Sequence, residues 1–320
     1  MKSPNKSLFL FLMIMSTCMV LSSSNWLMTW MGLEINMLGF IPLMFFKETA
    51  NESETAMKYL VPQSLGSTIF IASAVISLHL NNLQSLMSIA MCLKLGAAPF
   101  HFWFPPVMVG LHLLPAFILL TWQKIAPIFA IATFSPSLTN DVLLVASISA
   151  LWGGIAGLNQ TDIRSLLTYS SIAHTGWMLA AIDSSVTVLS VYVMTYVLIN
   201  ISIYTTLTSP SLKSHKQLFA THSPNSSLLL AISILSLGGL PPLAGFIMKL
   251  LVIKFTQVGL MVLLALIVGA LVSLFFYLSL TFSPLLSLAK VRLDKSYISK
   301  SSVMFSLAQI MPLSSFLFFF

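Results

Sequence analysis

Four ionisable residues stand inside long apolar runs where a water-avoiding chain has least reason to carry them: Glu34, Lys94, Lys124 and Lys249. A charge at the centre of a bilayer costs roughly 2.5 to 3.5 kcal/mol even on a lenient insertion scale, so four cost on the order of 10 kcal/mol, comparable with a protein's whole net stability. Some function must offset that. A long lysine stem reaches an interface from within about two turns of a helix end, but Glu34 is too short for this, and Lys94 and Lys124 lie about three turns from either end of their runs. The chemistry that needs such groups is proton or cation transfer along a polar, hydrated path. A buried lysine holds a proton while a carboxylate is near and releases it when burial alone remains. Glu34, the acid lying deepest in an apolar run, is expected to pair with Lys94. Lys124, with no carboxylate in its own helix, is expected to be the central exchanging group. His174, in Tyr169-Ser170-Ser171-Ile172-Ala173-His174, is a candidate relay, and His101 lies just beyond Pro99.

Other chemistries find no support. Cys18 and Cys92 form no metal-spaced or CxxC pair, which leaves a disulfide framework, an iron–sulfur site and a zinc site without ligands. No Gly-rich phosphate loop, nucleophile elbow or His-Glu metal helix occurs. Asp141, Asp162, Asp183 and Asp294 fall at the edges of apolar runs, where capping is an aspartate's ordinary role. The segment from Lys47 to Lys58, with Glu48, Glu52 and Glu54 among Asn and Ser, reads as a solvated loop, and His79, His112, His215 and His222 receive no role.

The elements that must hold these residues follow from composition. The 320 residues are 57% hydrophobic and 7% charged, against about 25% charged in soluble domains. The exposed surface must therefore face lipid. Breaking the chain at polar and Pro/Gly/Asn clusters gives an all-α, polytopic membrane protein of about 11 transmembrane helices, near 7–22, 26–46, 57–80, 84–104, 112–133, 141–158, 164–182, 185–208, 226–255, 257–283 and 302–320. Residues 1–320 form a single transmembrane domain, and the first run reads as a retained helix, since 22–25 offers no cleavage pattern. Net charge is +7, but the basic residues lie singly between spans, which argues against nucleic acid. Alternating sides places Lys2, Lys6, Lys47, Lys58, Arg164, Lys213, Lys216, Lys290, Arg292, Lys295 and Lys300 together, with Lys254 opposite. That asymmetry puts the N-terminus on the positive side and the C-terminus across the membrane.

Two spans carry helix breakers: Lys94-Leu95-Gly96-Ala97-Ala98-Pro99-Phe100-His101, and Gly238-Gly239-Leu240-Pro241-Pro242-Leu243-Ala244-Gly245 with Lys249 beyond. They run in opposite directions, as expected of two inverted-repeat bundles that each contain a broken helix lining a polar cavity. Lys249, four residues past Gly245, is expected at a half-helix N-terminus that disfavours an ammonium, and Lys94 at a carbonyl-rich end that favours one.

Several words recur in one order along almost the whole chain. They are Trp30-Met31-Gly32-Leu33-Glu34-Ile35-Asn36-Met37-Leu38, Ala56-Met57-Lys58-Tyr59-Leu60, the Lys94 to Trp103 segment, Thr121-Trp122-Gln123-Lys124-Ile125-Ala126-Pro127, Gly157-Leu158-Asn159-Gln160-Thr161 with Tyr169-Ser170-Ser171-Ile172 and Gly176-Trp177-Met178, and Ser236-Leu237-Gly238-Gly239-Leu240-Pro241-Pro242 with Gly245-Phe246. In these the chain resembles the NADH dehydrogenase subunit 2 family, antiporter-like membrane-arm subunits of mitochondrial respiratory complex I. Where that family commonly has Pro-Lys-Trp, this chain has Met248-Lys249-Leu250.

The full antiporter-like form has fourteen helices and animal versions lack the first three, so the resemblance implies eleven. It implies that Glu34, Lys94, Lys124 and Lys249 form a proton path, with the positive side the matrix and the C-terminus in the intermembrane space. It also implies a multi-pass location in the mitochondrial inner membrane, with other complex I membrane-arm subunits and membrane lipids as partners. No cofactor is expected in this chain; NADH, flavin, iron–sulfur clusters and ubiquinone are expected in partner subunits. Eighteen methionines suit a mitochondrially encoded membrane chain. Two rival readings share the same helices: a stand-alone cation/proton antiporter and a structural membrane-arm spacer.

Overall fold

The computed structural model describes residues 4–45, 50–77, 84–134, 140–207 and 224–288, and each regular element in them is an α-helix. Among the described residues six segments are long and apolar enough to cross a membrane: Trp26–Met44, Ala50–Ser77, Leu113–Thr133, Asn140–Leu158, Val186–Thr206 and Leu260–Phe282. The expected span 302–320 lies outside the described residues, as do Lys2, Lys47, Lys213, Lys216, Lys290, Arg292, Lys295 and Lys300. The chain forms two compact units, residues 1–149 and 150–320.

In the first unit, α1 (Pro4–Ser22) lies along α2 (Trp26–Met44), which packs on α3 (Ala50–Ser77). Close approach of α1 and α2 depends on glycine: a Cβ at Gly32 would come within 2.6 Å of Val20 Cγ2. Next come α4 (Gln84–Leu95), α5 (Phe104–Gly110), α6 (Leu113–Leu120) and α7 (Trp122–Phe134), with α4 set against both α3 and α7. Buried Phe40 and half-buried Trp103 both meet the ring of Tyr59 edge-on, at 5.1 and 5.8 Å.

The second unit begins within α8 (Asn140–Leu158), whose Gly153 and Gly154 sit close against α9 (Ile163–Ala181) and α13 (Leu260–Leu288). Almost all of α9 is buried. Around it stand α10 (Val186–Thr206), α11 (Pro224–Gly238) and α12 (Ala244–Phe255), with α10 touching all three of α9, α11 and α12. Exposed Leu264, Val268, Leu271 and Phe275 give α13 an apolar outer face suited to lipid.

Two expectations change. The segment read as a solvated loop is helical from Ala50, and Glu52 in its first turn is buried. A carboxylate suits that end of a helix dipole, and a partner histidine described below removes the cost of burying it. The span 112–133 is interrupted at Thr121, which leaves Lys124 in the first turn of α7 rather than at mid-helix. At the break the Thr121 N–H donates to the Phe117 carbonyl at 3.1 Å, and the Lys124 N–H turns to the Thr121 carbonyl at 3.4 Å. Glu34 lies near the middle of α2, as expected, and its side chain is half-buried.

Candidate functional site

Both expected helix breaks end on glycines in the left-handed region, Gly96 at φ +67° and Gly239 at φ +82°. At α4 the Gly96 N–H donates to the Leu93 carbonyl at 3.1 Å and the Ala97 N–H to Cys92 at 3.1 Å, the reciprocal pattern that closes a helix C-terminus on glycine. Trp103 Nε1 also donates to Leu93 O at 3.1 Å, and Gln63 Nε2 to Lys94 O at 2.9 Å. The α4 carbonyl end is thereby held, with Lys94 in its last turn as expected. The Lys94 stem lies flat on α3 at Gly66, where a Cβ would come within 2.8 Å of Lys94 Cγ.

Lys94 Nζ is buried and has no hydrogen-bond partner among the described residues. No nitrogen–oxygen contact within 4.0 Å joins it to Glu34, yet the Glu34 carboxylate is the charge that acts on it. The two are therefore electrically coupled without touching. Beside Lys94 opens a cavity of about 20 Å³, enough for a water molecule. Lys94, Gln63, Tyr59, Asn36, Gln123 and Lys124 supply its polar lining. Gln123 Nε2 donates to Asn36 Oδ1 at 3.2 Å, and the Tyr59 hydroxyl reaches Gln123 Oε1 at 3.5 Å. Lys124 is buried, its ammonium 5.5 Å from the centre of the Phe104 ring, where the π face attracts a cation. Thus Lys94 and Lys124 share one polar cavity, with Glu34 outside its lining.

In the second unit the expected placement of Lys249 is half right. Its backbone belongs to the early turns of α12, but Nζ turns back and donates to Gly238 O at 2.9 Å and Leu237 O at 3.4 Å. The Gly239 N–H already satisfies the carbonyls of Leu235 and Ser236, so Lys249 takes the two that remain at the end of α11. Its ammonium sits at a negative dipole end, as Lys94 does, and the expected contrast between the two lysines disappears. Gly245 makes the fold-back possible, since a Cβ there would collide with Ser236 O.

His174 is buried, with Nδ1 2.8 Å from the Tyr192 hydroxyl and its ring 5.2 Å from that of Tyr196. His101 is buried between α4 and α5, stacked on Phe102. One pair escaped the sequence reading: His112, preceding α6, sets Nε2 3.0 Å from Glu52 Oε1 of α3. Sixty residues separate the two in sequence, and no local spacing reveals them. Among the described residues no group of three or more His, Cys, Asp or Glu is placed to hold a metal ion.

The family model for the transmembrane region of NADH:quinone oxidoreductase and Mrp antiporters matches residues 23–273. The chain is 39% identical over 307 residues to NADH-ubiquinone oxidoreductase chain 2 of Nandinia binotata, covering 90% of this chain and 88% of that protein. It is 41% identical over 297 residues to the same-named protein of Metachirus nudicaudatus, covering 86% and 84%. Among solved structures, a chain of respiratory complex I from Thermus thermophilus with bound aureothin superposes with a TM-score of 0.84 at 24% identity, covering 96% of this chain and 77% of that one. That likeness concerns the fold.

Proposed function

Since this chain belongs to the NADH:quinone oxidoreductase/Mrp antiporter family, among the proteins named NADH-ubiquinone oxidoreductase chain 2, we propose that it is a core membrane subunit of NADH:ubiquinone oxidoreductase. In that role it translocates protons across the mitochondrial inner membrane. NADH oxidation and ubiquinone reduction, with their flavin and iron–sulfur clusters, take place in partner subunits, and this chain contributes no cofactor. The protein is a single transmembrane domain of eleven spans in two inverted repeats, with the N-terminus in the matrix and the C-terminus in the intermembrane space.

The observation that carries this reading is the shared cavity of Lys94 and Lys124, two buried ammonium-bearing side chains with room for water beside them. When Glu34 is charged and near, Lys94 keeps its proton. When Glu34 is neutralised or drawn away, burial drives that proton through the cavity toward Lys124. Lys249, on the carbonyls of α11, and His174, on Tyr192, are the exchanging groups of the second unit.

Lys124→Met tests the reading, because methionine keeps the stem length and removes the charge. In assembled complex reconstituted into vesicles, proton pumping falls while assembly stays normal. Unchanged pumping at normal assembly levels would remove Lys124 from the path. The antiporter half of the family description favours a second reading, independent cation/proton exchange. Transport by the purified chain alone would support it.

A further inference from the structure

The wall of the cavity beside Lys94 is unbalanced in charge and in hydrogen bonding. It holds two lysines, Lys94 and Lys124, and among the described residues no carboxylate lines it. The side-chain acceptors in the wall already face donors. Asn36 Oδ1 takes Gln123 Nε2 at 3.2 Å, and Gln123 Oε1 faces the Tyr59 hydroxyl at 3.5 Å. The Lys94 carbonyl is likewise taken, by Gln63 Nε2 at 2.9 Å.

Donors, by contrast, are left over. Lys94 is 5% exposed, and its Nζ carries three N–H groups with no partner among the described residues. The Tyr59 contact at 3.5 Å is longer than the limit of about 3.0 Å for a good O–H···O bond, so that hydroxyl gains by turning to a better acceptor. Gln63 Nε2 has a second N–H beyond the one given to the Lys94 carbonyl. A water molecule answers these donors with its lone pairs but brings two hydrogens of its own, for which the wall offers few open acceptors. A halide ion brings acceptor capacity alone, with a charge opposite to that of an ammonium, and hydrogen bonds to an ion are stronger than those to water. Size narrows the choice further, because a water-sized space excludes phosphates and carboxylate-bearing molecules. Met37, unbranched and adaptable, lines the wall and can yield to an ion slightly larger than water.

We propose that this cavity is a regulatory chloride site, in which one halide ion displaces water, is held by Lys94 Nζ and the Tyr59 hydroxyl, and is attracted also by Lys124. A bound halide stabilises the charged form of each lysine, so a proton leaves either one less readily and transfer between them slows. The binding follows from the wall alone, whereas the restraint rests on the proton-translocation reading of the chain.

The test uses the assembled complex, with bromide replacing chloride in crystals and an anomalous difference map to find it. A bromide peak is expected beside Lys94 Nζ, lost in Lys94→Met and weakened in Tyr59→Phe, which removes the hydroxyl and keeps the ring. In vesicles, gluconate, too large to enter, is exchanged for chloride at fixed ionic strength, with the membrane potential clamped by potassium and valinomycin. NADH-driven proton pumping falls as chloride rises, and the half-inhibiting concentration in Tyr59→Phe is about tenfold higher, the loss expected for one hydrogen bond to a charged group. Only water in the cavity of the bromide crystals overturns the site. A peak with pumping indifferent to chloride, or with equal sensitivity in Tyr59→Phe, overturns the restraint. Normal pumping by Lys124→Met in gluconate overturns the proton-translocation reading instead, and the bromide peak does not depend on it.

Discussion

At the scale of single residues, the state of Lys94 follows from what surrounds it. Its ammonium lies at the carbonyl end of α4, opens on a water-sized cavity and feels Glu34 from beyond 4.0 Å. Breaking a contacting buried pair costs about 3 to 5 kcal/mol, whereas a separated and partly solvated pair is coupled by about 1 kcal/mol or less. Glu34→Gln and Lys94→Met are therefore expected to combine almost additively in the thermal stability of the assembled complex, and non-additively in pumping. A double-mutant cycle read out in both ways decides this. A stability coupling near 4 kcal/mol would mean that the two groups meet directly in the assembly.

At the scale of elements, the helix breaks serve to end one dipole beside a lysine. Gly239 lies at φ +82°, and a Cβ there would come within 3.2 Å of Lys249 Nζ. Gly239→Ala is expected to cost about 1 to 2 kcal/mol for the left-handed backbone and to loosen Lys249 from Gly238 and Leu237. Lower melting temperature and impaired pumping together are the expected result, and wild-type values for both would refute it. The tie between α3 and α6 makes a separate case. His112→Leu withdraws a partner from buried Glu52 and should cost about 1 to 3 kcal/mol, while adding Glu52→Gln should restore most of the loss by removing the stranded charge. Thermal denaturation of the assembled complex reads both variants. An unaffected single variant would show that the pair contributes nothing.

At the scale of the whole molecule, the apolar outer surface of helices such as α13 belongs in lipid. A subunit of a membrane arm should be recovered in an NADH-oxidising assembly and show no cation exchange when purified alone. Vesicles carrying the purified chain, tested for sodium- or potassium-driven proton release, provide the measurement. Robust exchange there would favour the stand-alone antiporter.

Composition alone determined that this chain lives in a membrane, because 7% charged residues cannot clothe a water-facing surface. Local spacing likewise determined where helices α4 and α11 end, since glycine and proline act on their own neighbours. Lys94, Lys124 and Lys249 were legible as costly charges in apolar runs, and Lys94 was rightly assigned to a carbonyl end. Tertiary structure decided what each charge touches. Lys249 folds back onto a helix that precedes its own, Glu52 is buried because His112 arrives from sixty residues away, and Lys94 shares its cavity with Lys124 while Glu34 stays apart. A polar stripe acquires a partner only when another helix is laid against it, and hydrogen bonds and cavities are properties of that packing rather than of either helix alone.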